Sequence, residues 1–243
     1  MRSAVLLHGV ESSRNTWWRA GRDLEDLGWE VHALDLLGHG DRARAGGDSL
    51  SLAAFAADVA AQTAGRRFEL IVGHSLGALV ALTLAATRPG AARAVVLEDP
   101  PGLGGSLDPR DVADDIERFV ARARADAATE VERVLDENPL WARADAQSSI
   151  ASRRALNTNA VTAFLRTSRW DLPALVAGCP TPVTLLAATA PGTALTDPDR
   201  AAVIDTLPPG RVRVIASGHS IHRDRPALWL NAVLEAARSA AAA

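Results

Sequence analysis

The chain has 243 residues, 48% hydrophobic and 23% charged, which allows a substantial core and excludes extensive disorder. A formal net charge of −3 supplies no positive field to displace counterions from phosphates, so nucleic acid is not an expected partner. All 26 basic residues are arginines, which excludes a Schiff-base lysine.

In chain order, residues 4–7 predict a short buried strand closed by His8-Gly9, and residues 10–16 a polar loop. A helix over 17–27 places Trp17, Leu24 and Leu27 on one face and stops at Gly28; a strand over 29–36 then runs into a glycine-rich turn. A helix over about 51–64 precedes the apolar strand 68–72. That strand breaks into Gly73-His74-Ser75-Leu76-Gly77 and continues as a small-residue helix over 78–86. The strand 94–97 ends in Glu98-Asp99-Pro100-Pro101.

Strands alternating with helices at this spacing predict βαβ units and a mostly parallel sheet. The alternation lapses over 102–177, where helical periodicity over 112–135 and 148–167 reads as an inserted cap. It resumes with a strand over 182–186, a helix over about 198–207, a strand over 211–216, Gly218-His219 and a last helix over 227–240. The expected division is a core of residues 1–101 and 178–243 with a cap of 102–177.

The first apolar run is too short for a secretory signal and no stretch is long enough to span a membrane, so a cytoplasmic protein without a membrane partner is expected. The single cysteine, Cys179, cannot form an intrachain disulfide. No Cys/His cluster or acidic loop has metal-ligand spacing, and neither metal nor other cofactor is expected.

Together, His8-Gly9 after the first strand, Gly73-His74-Ser75-Leu76-Gly77 between strand and helix, the inserted helical stretch and the late Gly218-His219 resemble the α/β-hydrolase superfamily over essentially the whole chain. The resemblance implies an α/β-hydrolase fold with a six-stranded sheet and a helical cap, lacking the two leading strands of many relatives. It implies a serine esterase or lactonase acting on a small-molecule substrate through an acyl-enzyme. Cofactor-independent C–C bond hydrolysis, acyl transfer or a tailoring reaction on the same fold is the alternative, and a non-catalytic ligand-binding member is the alternative of another class. Monomer and homodimer both stay open.

On that resemblance Ser75 is the expected nucleophile and His219 its base, ahead of His222. The backbone N–H groups of Val10 and Leu76 are the expected oxyanion donors. Many relatives carry their acid after the strand matched by 183–186, but Ala187-Ala188-Thr189-Ala190-Pro191-Gly192 has no carboxylate. Glu98 is therefore the first choice, because it directly ends an apolar run, with Asp99 and Asp197 as alternatives. Trp17, His74, Trp141 and Trp170 are the candidate pocket residues. His8 and His39 are assigned to shaping backbone, and Arg153-Arg154 reads as a solvated helix face, a clamp for a substrate carboxylate being the other reading, which the sequence alone does not carry.

Overall fold

The computed structural model describes residues 2–45, 50–102 and 108–241. Six strands, β1 (Arg2–Leu7), β2 (Trp29–Leu34), β3 (Phe68–His74), β4 (Ala92–Glu98), β5 (Val183–Ala188) and β6 (Val212–Ile215), form one sheet in the order β2-β1-β3-β4-β5-β6. Every neighbouring pair is parallel. Buried on both sides, the central strands read as near-continuous apolar runs, which is why they stand out in the sequence.

Side chains alternate between two cores. Val5, Leu7, Ile71, Val95, Leu97 and Leu185 pack towards α2 (Leu52–Gln62) and α3 (Leu76–Thr87). Leu6, Leu70, Val72, Val96 and Leu186 face the other way, with Leu24 of α1 (Trp18–Asp26) and Trp229 of the last helix (Pro226–Ala241). The chain leaves β1 towards one edge and returns to add β3 on the other side, so the switch point lies between β1 and β3. Ligands of such sheets bind beyond the carboxyl ends of the strands at that point. His8 follows β1 there, and Ser75 follows β3.

The stretch between β4 and β5 is helical: α4 (Pro109–Ala125), α5 (Ala127–Glu137), α6 (Arg143–Ala155), α7 (Thr158–Thr167) and α8 (Leu172–Ala177). Sequence periodicity predicts two long helices where the structure has four. The breaks fall at capping residues: the Asp126 carboxylate accepts from the N–H groups of Ala128 and Thr129, and the Asn157 side chain from that of Ala160. Each satisfies a donor that a new helix start leaves open, and periodicity alone carries no trace of it. Helices α4 to α7 pack on one another, whereas α8 packs on α3 and on α9 (Asp197–Ile204) beside the sheet. Residues 103–107, at the start of the stretch expected as cap, lie outside the described residues. Among the described residues, no helix is long and apolar enough to cross a membrane.

Candidate active site

Ser75 sits between β3 and α3 with φ 53° and ψ −118°, a conformation that costs a non-glycine residue about 1–3 kcal/mol and persists only where its surroundings enforce it. They do so through close backbone packing. A Cβ on Gly73 would lie 2.2 Å from the Gly77 carbonyl oxygen, and one on Gly77 would lie 2.2 Å from that of Leu7. Neither glycine has a positive φ; both are needed for proximity. The Ser75 N–H donates to the Glu98 carbonyl (2.9 Å), tying the turn to the end of β4.

Val10 and Leu76 adjoin Ser75 along the same cavity wall. Leu76 opens α3, and the first N–H groups of a helix have no intrahelical acceptor. The peptide carrying the Val10 N–H is fixed from its other side. Its carbonyl, that of Gly9, accepts from His8 Nδ1 (2.8 Å) and from the Ser12 N–H (3.2 Å). In a trans peptide the N–H points opposite to the C=O, so holding the Gly9 oxygen sets the direction of the Val10 donor. His8 is held in turn, because its Nε2 accepts from the Leu36 N–H (3.0 Å). Burial keeps His8 neutral by pushing its pKa well below the usual value.

At the end of β4 the two adjacent carboxylates part. His219 Nδ1 donates to Asp99 Oδ2 at 2.6 Å, and the Ala194 N–H donates to the same oxygen at 2.8 Å. Asp99 is fully buried and has φ 41°, the second enforced left-handed residue of the site. Glu98 faces elsewhere. Its Oε1 accepts from the N–H (2.9 Å) and Nδ1 (2.7 Å) of His222, and its Oε2 from the Trp229 indole (2.8 Å). The preference for Glu98 is thus corrected to Asp99: Glu98 is the last strand residue, opposite His74 in the register, and the chain must leave the sheet before a carboxylate reaches His219. Asp197 is no nearer to the role, being 85% exposed and paired with Arg200. The carboxylate-free loop after β5 contributes instead the Ala194 donor that holds Asp99.

His222 belongs to a buried relay. Arg223 Nη2 donates to Thr16 Oγ1 (2.6 Å), the threonine hydroxyl donates to His222 Nε2 (2.9 Å), and His222 Nδ1 donates to Glu98. Burial holds His222 neutral and raises the Glu98 carboxyl. His74, also kept neutral by burial, donates from Nε2 to the His219 carbonyl (3.1 Å), and its ring lies tilted at 47° to that of His219 with centroids 4.4 Å apart. It braces the histidine backbone.

Ser75 and His219 stand between two chambers of about 220 Å³ each. One is polar, with His74, Asn138, Trp141, Arg153 and Arg223 in its wall; the other is apolar, with Leu79, Val112, Leu165 and Trp170. Of the candidate pocket residues, His74 and Trp141 line the polar chamber and Trp170 the apolar one. Trp17 lines neither: it is 1% exposed and packs against Trp229 and His222, so it is corrected to a core residue. Sequence reasoning missed Glu11, Arg223 and the apolar lining other than Trp170. Only the position of Glu11 two residues after His8-Gly9 pointed to the site.

The α/β hydrolase family model matches residues 4–233. The chain belongs to the α/β-hydrolase family. A segment of 133 residues is 32% identical to the lipase LipV of Mycobacterium tuberculosis, covering 51% of this chain and 49% of that relative, so the chain matches about half of its curated relative. Among solved structures, this α/β hydrolase superposes on an E-2-(acetamidomethylene)succinate hydrolase with TM-score 0.79 at 21% identity, covering 97% of this chain and 91% of the other. On an esterase from Thermogutta terrifontis the TM-score is 0.73 at 18% identity, with coverage of 99% and 90%. At these identities the likeness to solved structures is one of fold.

Proposed function

We propose that this α/β hydrolase is a serine hydrolase that cleaves an ester or lactone of a small, partly apolar substrate through an acyl-enzyme. The observation that carries the reading is the 2.6 Å bond from His219 Nδ1 to buried Asp99, in a histidine that shares a cavity with the enforced Ser75. With Nδ1–H committed to Asp99, His219 Nε2 is the nitrogen free to accept a proton. The lipase and esterase names among the similar proteins support ester chemistry.

In this mechanism Ser75 Oγ attacks the carbonyl carbon while His219 Nε2 takes the hydroxyl proton. Asp99 stabilises the imidazolium and keeps it oriented without taking the proton itself. Charge develops on the carbonyl oxygen, which the Val10 and Leu76 N–H groups receive; one such donor contributes about 3 kcal/mol to barrier lowering. His219 returns the proton to the departing alkoxide, then deprotonates the water that attacks the acyl-enzyme. Collapse of the second tetrahedral intermediate releases the acid and restores Ser75. No step calls on a cofactor.

The test is pre-steady-state hydrolysis of p-nitrophenyl butyrate with intact-mass detection. The expected result is a burst of one p-nitrophenolate per protein and a mass increase of one butyryl group, both absent in Ser75→Ala. Turnover unchanged in Ser75→Ala would overturn the assignment.

A further inference from the structure

Two arginines in the wall of the polar chamber are not used by the hydrolytic machinery. Arg223 is 5% exposed, and among the described residues no carboxylate lies within 4 Å of its guanidinium. Its Nη2 donates to Thr16, while its Nε has no partner. Asp145, Glu98 and Asp224 act on it only at longer range, and burial pushes its pKa down to about 10. Asp224 is otherwise engaged, accepting from the Trp141 indole and the Gly218 N–H. Buried charges are ordinarily paired and hydrogen-bonded; a buried guanidinium without an ion pair, facing a cavity, is suited to an anion that arrives with the ligand.

Arg153 completes the arrangement. It projects from α6 into the same chamber, is 13% exposed, and has its Nε 3.2 Å from Glu11 Oε1 without hydrogen-bond alignment. Its Nη1 has no partner. Both guanidinium groups lie against aromatic rings, Arg223 over Trp141 at 4.3 Å and Arg153 over Phe119 at 5.0 Å. The guanidinium fork matches the planar two-oxygen geometry of a carboxylate. The chamber is small, and Ser75 stands at its junction with the apolar one.

The geometry points to a carboxylate-binding subsite formed by Arg153 and Arg223, so that the natural substrate carries a carboxylate on one side of the scissile bond and an apolar group on the other. This rests on the hydrolase reading and narrows it to anionic esters or lactones. Arg153 loses its weakly aligned contact with Glu11 when the ligand binds, and Arg223 gains the anionic partner it lacks.

The experiment uses two matched pairs of esters that differ in charge and little in shape. Carboxymethyl hexanoate is compared with the hexanoate of glycolamide, and hexyl hydrogen succinate with hexyl succinamate. At pH 7.5 the anionic member of at least one pair is expected to have a kcat/KM ten times or more that of its amide. In Arg153→Met and Arg223→Lys that ratio is expected to fall at least fivefold. The ratio is taken on one protein at a time, so a general loss of folded enzyme cancels. Binding of the four compounds and of hexyl phosphate to Ser75→Ala by calorimetry separates this inference from the hydrolase reading. If none of the esters is turned over, calorimetry alone decides the subsite, and the p-nitrophenyl butyrate burst decides the hydrolase reading. Equal affinities and rates for acid and amide in both pairs would overturn the proposal, as would tighter binding of hexyl phosphate than of either carboxylate.

Discussion

Glu98 and Asp99, adjacent at the end of β4, send their carboxylates to different histidines: Glu98 to buried His222 and Asp99 to His219 at the cavity. One peptide unit separates a group that holds the fold from the one proposed to act in catalysis. Asp99→Asn should therefore reduce kcat/KM on p-nitrophenyl butyrate by about 10³–10⁴ with little change in melting temperature. Glu98→Gln faces three donors with an amide that cannot accept all of them, and should cost roughly 2–4 kcal/mol of stability. Its folded fraction should retain kcat within about tenfold. Chemical unfolding and kinetics on both variants check the division of roles, and the opposite pattern would reverse it.

His8 acts at one remove from the proposed oxyanion donor, through the Gly9 carbonyl that orients the Val10 N–H. His8→Ala frees that peptide and should lower kcat by about 10- to 100-fold with KM changed less than threefold, since ground-state contacts are spared. A rise in KM at unchanged kcat would show that His8 serves binding instead.

Most of the sheet was legible because its central strands are buried on both faces and their helices carry plain stop signals. That Ser75 and His219 would meet at one cavity was legible through the glycines beside them and their places after β3 and β6. The carboxylate partner of His219 was not, because which of two neighbouring carboxylates turns to the histidine depends on the exit of Asp99 at φ 41° and on the loop that brings the Ala194 N–H over it. The boundaries in the helical stretch hung on Asp126 and Asn157 as caps. Arg223 escaped notice because nothing in Ser220-Ile221-His222-Arg223-Asp224 tells a buried arginine from a solvated one.

Four histidines, His8, His39, His74 and His222, have pKa values lowered mainly by burial, so each is neutral in the fold and takes a proton more readily once unfolded. Their contribution to stability is present above the unfolded value near 6.5 and is lost as pH falls below it towards the lowered folded values. The slope is up to about 1.4 kcal/mol per pH unit for each histidine. Glu98 and Glu11, raised chiefly by burial, oppose this as the folded form gains protons above the usual carboxylate range. Four groups against two predict a net loss of unfolding free energy between pH 7 and 5. Urea titrations at pH 7, 6 and 5 measure it, and a flat or rising profile would contradict the account.

Gly77 and Gly90 make a contrasting pair. A Cβ at Gly77 meets the Leu7 carbonyl oxygen at 2.2 Å, while Gly90 has φ 83° and open space around it. Gly90→Ala should cost only about 1–2 kcal/mol, the left-handed penalty of an L-residue. Gly77→Ala forces β1 and the elbow apart, and should cost more than 3 kcal/mol and abolish turnover. Comparable midpoints in urea for the two variants would show that the elbow does not depend on that close approach.

The central claim is that Ser75 is a nucleophile activated by a histidine that Asp99 orients. The most direct measurement is the rate of labelling by a fluorophosphonate, read by intact mass and by peptide mapping in the parent protein, Ser75→Ala and Asp99→Asn. The account predicts a single adduct on Ser75 in the parent, none in Ser75→Ala, and labelling at least a hundredfold slower in Asp99→Asn. An adduct that persists in Ser75→Ala, or labelling of Asp99→Asn at the parent rate, would contradict it.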